Sequence, residues 1–274
     1  MQGIGDVELV AEGFLFLEGP QWRDDLGALV FSDIDGDTIY SLTPPSAIEV
    51  SRTPSGKSNG LALDTDGRLL AAEHSNRRVS RTMEDGSIVT VADRYEGARL
   101  SSPNDIVVRS DGTIYFTDPP YGLADQRDRE LDFNGVFRLD PAGELGTIWE
   151  GDPSDSGPNG IALSPDERML YVSDSSQALV RAFDVHPDGT ADGERIFVET
   201  SPVPDGMAMD RAGNLFVSTS AGIEVFAPDG ARWGTIPVPR EPANCAFAGP
   251  DAKTLYVTAV EGLYRVDLAI AGLL

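Results

Sequence analysis

An all-β, six-bladed propeller with four-stranded blades is the fold this sequence predicts, on three observations. A short phrase, a polar residue followed by a small apolar run, recurs six times along the 274 residues. Each recurrence is followed by a turn roughly eight residues on and then by further strand-like runs. No segment longer than a turn or two spaces its apolar residues for a helix. The phrase opens at Glu18, Asn59, Asn104, Asn159, Asp205 and Asn244, at intervals of 41, 45, 55, 46 and 39 residues. Propeller blades repeat at about 40–50 residues.

Each repeat reads in the same order. The opening phrase, as in Pro158-Asn159-Gly160-Ile161-Ala162-Leu163, supplies an innermost strand. Turn residues follow, such as Asp66-Gly67, Asp111-Gly112, Ala212-Gly213 and Pro250-Asp251, which supply the backbone angles hairpins need. A second strand is expected over 28–32, 69–73, 114–117, 169–173, 215–218 and 254–258. A third is expected over 38–42, 78–82, 135–139, 180–184, 223–227 and 263–267. A weaker fourth strand follows in the first five repeats, as at 89–92 and 195–198. The sixth repeat ends after its third strand, and a spare strand at 7–10 precedes the first repeat. Pairing these two closes the ring and leaves no open edge. Residues 1–274 therefore read as one propeller domain, with the N-terminal strand completing the last blade.

Composition narrows the partners. A net charge of −24 opposes nucleic acid, whose phosphates it would repel, and reads first as a solvated acidic surface. No basic-then-apolar leader opens the chain, and no apolar run approaches the roughly 20 residues that cross a bilayer. A single cysteine, Cys245, excludes a disulfide framework or a Cys-rich zinc site. These features suit the cytoplasm, with no membrane or nucleic-acid partner. A monomer or a small homo-oligomer is expected.

In a propeller the innermost strands line a central channel, so the six opening residues form a ring at one mouth. The second strands return to the same face, which predicts a further tier of Asp33, His74, Asp118 and Asp174 around that ring. The 119–134 insertion, between a second and a third strand, falls on this face too, where long loops act as lids. The ring holds two carboxylates, Glu18 and Asp205, with four asparagines and no histidine or cysteine. All-oxygen sites suit hard cations, and two carboxylates balance one divalent ion. Asn59 and Asn244 read as supporting or structural members. His74 is a candidate for a substrate-facing or supporting role, whereas His186, in His-Pro-Asp-Gly, reads as a surface turn. Gly56-Lys57-Ser58-Asn59-Gly60 has the spacing of a nucleophile elbow but lacks the strand before it and the helix after it. Asp33-Ile34-Asp35-Gly36-Asp37 begins like a calcium loop but reads as a hairpin turn.

The segments Glu18-Gly19-Pro20-Gln21-Trp22, Ser102-Pro103-Asn104-Asp105, Phe116-Thr117-Asp118-Pro119-Pro120-Tyr121-Gly122, Pro158-Asn159-Gly160, Asp205-Gly206-Met207 and Asn244-Cys245-Ala246-Phe247 resemble the gluconolactonase / senescence marker protein / luciferin-regenerating enzyme family. The Pro-Pro-Tyr-Gly and Asn-Cys-Ala-Phe segments resemble its bacterial gluconolactonase branch. The resemblance implies a six-bladed propeller that holds a divalent cation at the channel mouth and hydrolyses a small, sugar-derived lactone. Its metal ligands fall on Glu18, Asn159 and Asp205, with Asn104 as a further ligand or substrate contact. Asp205 matches the family's candidate for general base, and Tyr121 is a substrate-binding candidate in the lid. Ca²⁺ is the first expectation, with Mg²⁺, Mn²⁺ and Zn²⁺ compatible with the same oxygens. Some sugar-lactone members carry an arginine two residues before the asparagine matching Asn104, where this chain has Ser102. Two other readings stay open: a phosphotriesterase-like hydrolase on the same metal, and a non-catalytic, metal-stabilised ligand-binding propeller.

Overall fold

Six antiparallel four-stranded sheets make up the protein in the computed structural model, which describes residues 3–200 and 203–274. Blade 1 runs outward through Leu17–Arg23, Ala28–Asp33, Thr38–Thr43 and Ala47–Arg52. Blades 2 to 5 repeat that simple up-and-down order, with innermost strands Ser58–Leu63, Ile106–Val108, Pro158–Leu163 and Pro204–Met209. Each innermost strand packs against the innermost strands of the blades on either side, and this closes the ring around a channel. Burial follows the same order. Ala28–Asp33 is buried at every residue, while the outermost strand Ala47–Arg52 is mostly exposed. That is why second strands read as unbroken apolar runs and outer strands as alternating ones.

The expected closure is present. Glu8–Glu12 pairs antiparallel with Gly262–Asp267 and is the outer strand of blade 6, whose other members are Thr254–Ala259 and Asn244–Ala248. The Arg265 guanidinium reaches Glu8 at 2.6 Å across that pairing. A small extra hairpin, Arg94–Tyr95 with Ala98–Arg99, precedes blade 3. Nothing in its short, charged sequence announces it. The core is a wheel of apolar clusters between neighbouring blades; one joins Phe216 and Ile223 of blade 5 to Phe247, Leu255 and Val257 of blade 6. Phe216 and Phe247 meet edge-to-face at 5.2 Å. Each such fully buried side chain contributes about 1.5–3 kcal/mol.

Four innermost strands carry a register shift at the opening phrase, at Glu18, Ser58, Pro158 and Pro204. Bulges of this kind bend a strand and re-aim its side chains. Glycine after the opening residue then admits the neighbouring blade. A Cβ on Gly160 would overlap the Asp205 carbonyl oxygen, and one on Gly206 would overlap the Asn244 side chain. Hydroxyls of the second strands clamp the same backbone. Ser32 Oγ donates to Asn59 O at 2.8 Å, Thr117 Oγ1 to Asn159 O at 2.6 Å, and Ser173 Oγ to Asp205 O at 2.7 Å. Each bond crosses from one blade to the next and holds the carbonyl of a ring residue.

Removal of residues 1–12 should expose the Gly262–Asp267 edge to pairing with another chain. The truncated protein is expected to melt roughly 5 °C or more below the full chain and to self-associate. Unchanged melting and unchanged mass by light scattering would show that the strand is dispensable.

Candidate functional site

Glu18, Asn104, Asn159 and Asp205 meet His74 and Tyr121 around one cavity of about 340 Å³ at the channel mouth. Phe16, Ile34, Asp35 and Asn59 complete its wall. Glu18 is 3 % exposed and Asn104 2 %, so the deep groups are largely withdrawn from water. Glu18 Oε2 accepts the Gly19 N–H at 2.9 Å. Asp205 Oδ1 is shielded from solvent and has no hydrogen-bond partner among the described residues. Among the described residues, no lysine or arginine lines this cavity. Asn244 lies further in, beside Asp105, where a second cavity of about 450 Å³ continues along the innermost strands.

Burial of like charges dominates the electrostatics. Burial, then Asp105, push the Glu18 carboxyl up to about 8. Burial, then Glu18 and Asp105, hold the Asp205 carboxyl well above the usual range. Burial also raises Asp105 to about 6, although the Ile161 and Ile106 N–H groups bond its oxygens at 3.1 and 3.0 Å. Burial pushes His74 down to about 4, so it is neutral at pH 7, and its Nε2 lies 3.2 Å from Asn104 Oδ1.

The expected second tier is only partly built. His74 reaches the ring, but Asp33, Asp118 and Asp174 do not line the cavity. Each is buried and turned to backbone N–H groups: Asp33 to Leu15, Phe16 and Gly36, Asp118 to Ser101, and Asp174 to Gly157, Ser176 and Gln177. Buried N–H donors cost too much to leave unmet, and these carboxylates satisfy the loop that leads into each blade. The Asp33–Asp37 stretch is accordingly a hairpin turn between Ala28–Asp33 and Thr38–Thr43. Ser58 Oγ is buried against Ser32 Oγ at 2.9 Å, which removes the elbow reading. His186 is surface-exposed and pairs with Asp192 at 3.1 Å.

The 119–134 segment leans over the cavity through Tyr121, whose hydroxyl donates to Gly157 O at 3.0 Å. Gly122 lies so close to His74 that a Cβ there would sit 2.5 Å from the ring base. Ser102 is fully buried and pins the start of this segment. Its hydroxyl donates to Pro119 O at 2.6 Å and accepts the Gly122 N–H at 2.8 Å. Ser102 therefore shapes this segment and does not line the cavity. Phe16, Ile34, Asp35 and Asp105 are not among the site residues that the sequence predicts. Asp105 alone carried a signal, since it occupies the slot that is glycine after Glu18, Asn59, Asn159 and Asp205.

One buried carboxyl, one half-buried carboxyl and amide oxygens, with no lysine or arginine among the described residues of the cavity wall, fit a divalent ion of the hard, oxygen-seeking kind. Among the described residues no group of three or more Cys, His, Asp or Glu is arranged to hold a metal, so such a site depends on its asparagines. Residues 16–261 match the model of the SMP-30/Gluconolactonase/LRE-like region. The chain belongs to this family. It is 36% identical to a gluconolactonase of Zymomonas mobilis, over 95% of this chain and 80% of that one. It is similar to the solved structure of a gluconolactonase from Xanthomonas campestris, at 34% identity and a TM-score of 0.90 over 96% of this chain and 90% of that one. The fold also matches a regucalcin of Agrobacterium tumefaciens, described as a calcium-binding protein, at 18% identity and a TM-score of 0.81 over 98% and 95% of the two chains. Among the described residues, no helix is long and apolar enough to cross a membrane.

The raised carboxyls have a consequence for metal-free protein. Folding holds protons on Glu18 that the unfolded chain releases, so its contribution to stability is greatest below about 4.5 and falls as pH rises towards about 8. Asp205→Asn removes the like charge. In chelator it should melt above the wild type at pH 8, by roughly 3 °C or more, with the gap closing towards pH 5. A gap that does not vary with pH would contradict this electrostatic account.

Proposed function

We propose that the protein is a lactonase whose catalytic centre is the channel mouth, with residues 1–274 acting as one domain. The reading rests on one observation above all: Asp205 lines the same cavity as Glu18, Asn104 and Asn159, and among the described residues its Oδ1 has no hydrogen-bond partner. The names of the Zymomonas and Xanthomonas relatives support lactone hydrolysis. Glu18, Asn159 and Asp205 would hold a divalent cation, with Asn104 beside them as a further ligand or substrate contact. Ca²⁺ is the first choice on these donors, supported by the calcium binding described for the regucalcin. Bound there, the cation would supply the charge that keeps both carboxyls ionised and polarises the lactone carbonyl.

The chain's own groups account for the remaining steps. The cavity admits a ring-sized, sugar-derived lactone, with Phe16 and Ile34 as an apolar wall and Asp35, His74 and Tyr121 as polar partners. The Asp205 carboxylate takes a proton from water as the water oxygen adds to the carbonyl carbon. The ring C–O bond then breaks, the leaving alkoxide takes that proton back from the Asp205 carboxyl, and the hydroxy acid leaves with Asp205 again ionised. General-base assistance of this kind contributes typically 10²–10⁴-fold. His74, neutral and held by Asn104, orients the polar side of the cavity and carries no charge to the reaction.

A panel of sugar and simple lactones, assayed with and without chelator, tests this reading. Turnover should require the metal, and Asp205→Ala should lower kcat by about 10²-fold or more while the protein still folds. Folded, metal-loaded protein inert towards every lactone would favour a binding propeller. Organophosphate turnover well above lactone turnover would favour a phosphotriesterase-like hydrolase.

A further inference from the structure

A directed row of hydrogen bonds runs along the channel mouth, and its direction is set at one end. Ser175 Oγ donates to Pro204 O at 2.7 Å. A carbonyl oxygen only accepts, so the single hydroxyl hydrogen of Ser175 is spent there. Towards Asn159 the hydroxyl can then only accept, and it takes a hydrogen from Asn159 Nδ2 at 3.0 Å. That leaves Asn159 Oδ1 on the channel side, where it accepts from Asn104 Nδ2 at 2.6 Å. By the same logic Asn104 Oδ1 faces the other way, towards Asn59 Nδ2 at 2.7 Å and His74 Nε2 at 3.2 Å. The row ends at Asn59 Oδ1, buried and without a hydrogen-bond partner among the described residues. An amide turned end for end has nearly the same shape, so packing alone does not choose between oxygen and nitrogen.

We propose that Ser175 is a positioning residue: it fixes the direction of the Asn159–Asn104–Asn59 row and so presents the Asn159 oxygen, not its NH₂, to the bound cation. The inference rests on the reading that Glu18, Asn159 and Asp205 share that cation. It also sets His74 as the Nε2–H tautomer, because Asn104 offers it an acceptor. Ser175 touches Pro204, the residue before Asp205, so a plain structural role through Asp205 is the competing explanation.

The two are separated by Ca²⁺ titration calorimetry on chelator-stripped, full-length protein. Groups that orient a metal ligand typically change metal affinity 10–100-fold. Ser175→Ala should weaken Ca²⁺ binding by about tenfold or more, and Ser175→Thr, which keeps the hydroxyl, should restore it to within about threefold. In an Asn159→Asp background the carboxylate offers oxygen whichever way it is turned, so adding Ser175→Ala should cost no more than about twofold. Metal-free melting curves report folding, and Ser175→Cys, which keeps the volume but weakens both bonds, serves if the alanine variant does not fold. Binding by Ser175→Ala within about twofold of the wild type overturns the inference, as does an equal loss in both backgrounds. Wild-type protein that takes up no Ca²⁺, Mg²⁺, Mn²⁺ or Zn²⁺ overturns the cation site itself.

Discussion

Glu18, buried, and Asp205, half-buried, bring two carboxyls to one channel mouth, where among the described residues no lysine or arginine lines the cavity. Burying two like charges is costly, and a fold selected only for stability would replace one of them with an amide. The surrounding architecture keeps the two together. Bulges at the opening phrases aim the side chains, glycines let neighbouring blades approach, and the hydroxyls of Ser32, Thr117 and Ser173 clamp the carbonyls of Asn59, Asn159 and Asp205. The pairing makes physical sense when a divalent charge completes it.

That arrangement also divides labour between backbone and side chain. Cross-blade clamps fix where Asn59, Asn159 and Asp205 sit, so their side chains are free to turn towards the axis. Asn59, Asn104 and Asn159 are linked in a row, and each amide spends its nitrogen on the next member or on Ser175. Five blades contribute one opening residue each to the cavity, Glu18, Asn59, Asn104, Asn159 and Asp205, and a site that no single blade could form is assembled from positions 18 to 205 of the chain. The 119–134 segment adds Tyr121 to the cavity wall and is itself anchored by Ser102.

Much of this was legible in the sequence because the signals are local and repeated. Second strands were readable as apolar runs, turns by their Asp, Gly and Pro residues, and the closing strand by an incomplete sixth repeat matched with a spare segment; Glu8–Glu12 lies within two residues of the expected 7–10. The ring residues were readable because the same slot recurs in every blade. Long-range partners were not. Asp33, Asp118 and Asp174 end their strands on the expected face, yet the N–H groups they satisfy lie on segments whose proximity only the folded chain defines. Phe16, Ile34 and Asp35 enter the cavity from short loops without periodicity, and Ser175 sits in a polar loop indistinguishable from any other. The Arg94–Arg99 hairpin is too short for its pattern to stand out.

The central claim is that side-chain oxygens of Glu18, Asn159 and Asp205 share one cation. A crystal of the protein soaked in Mn²⁺ or a lanthanide, with anomalous scattering recorded, addresses it directly. The account predicts one dominant peak at the channel mouth, at about 2.3–2.6 Å from an oxygen of each of these three residues when extended to Ca²⁺. No peak there, or one bound by only one of the three with the others turned into separate pockets, would contradict it.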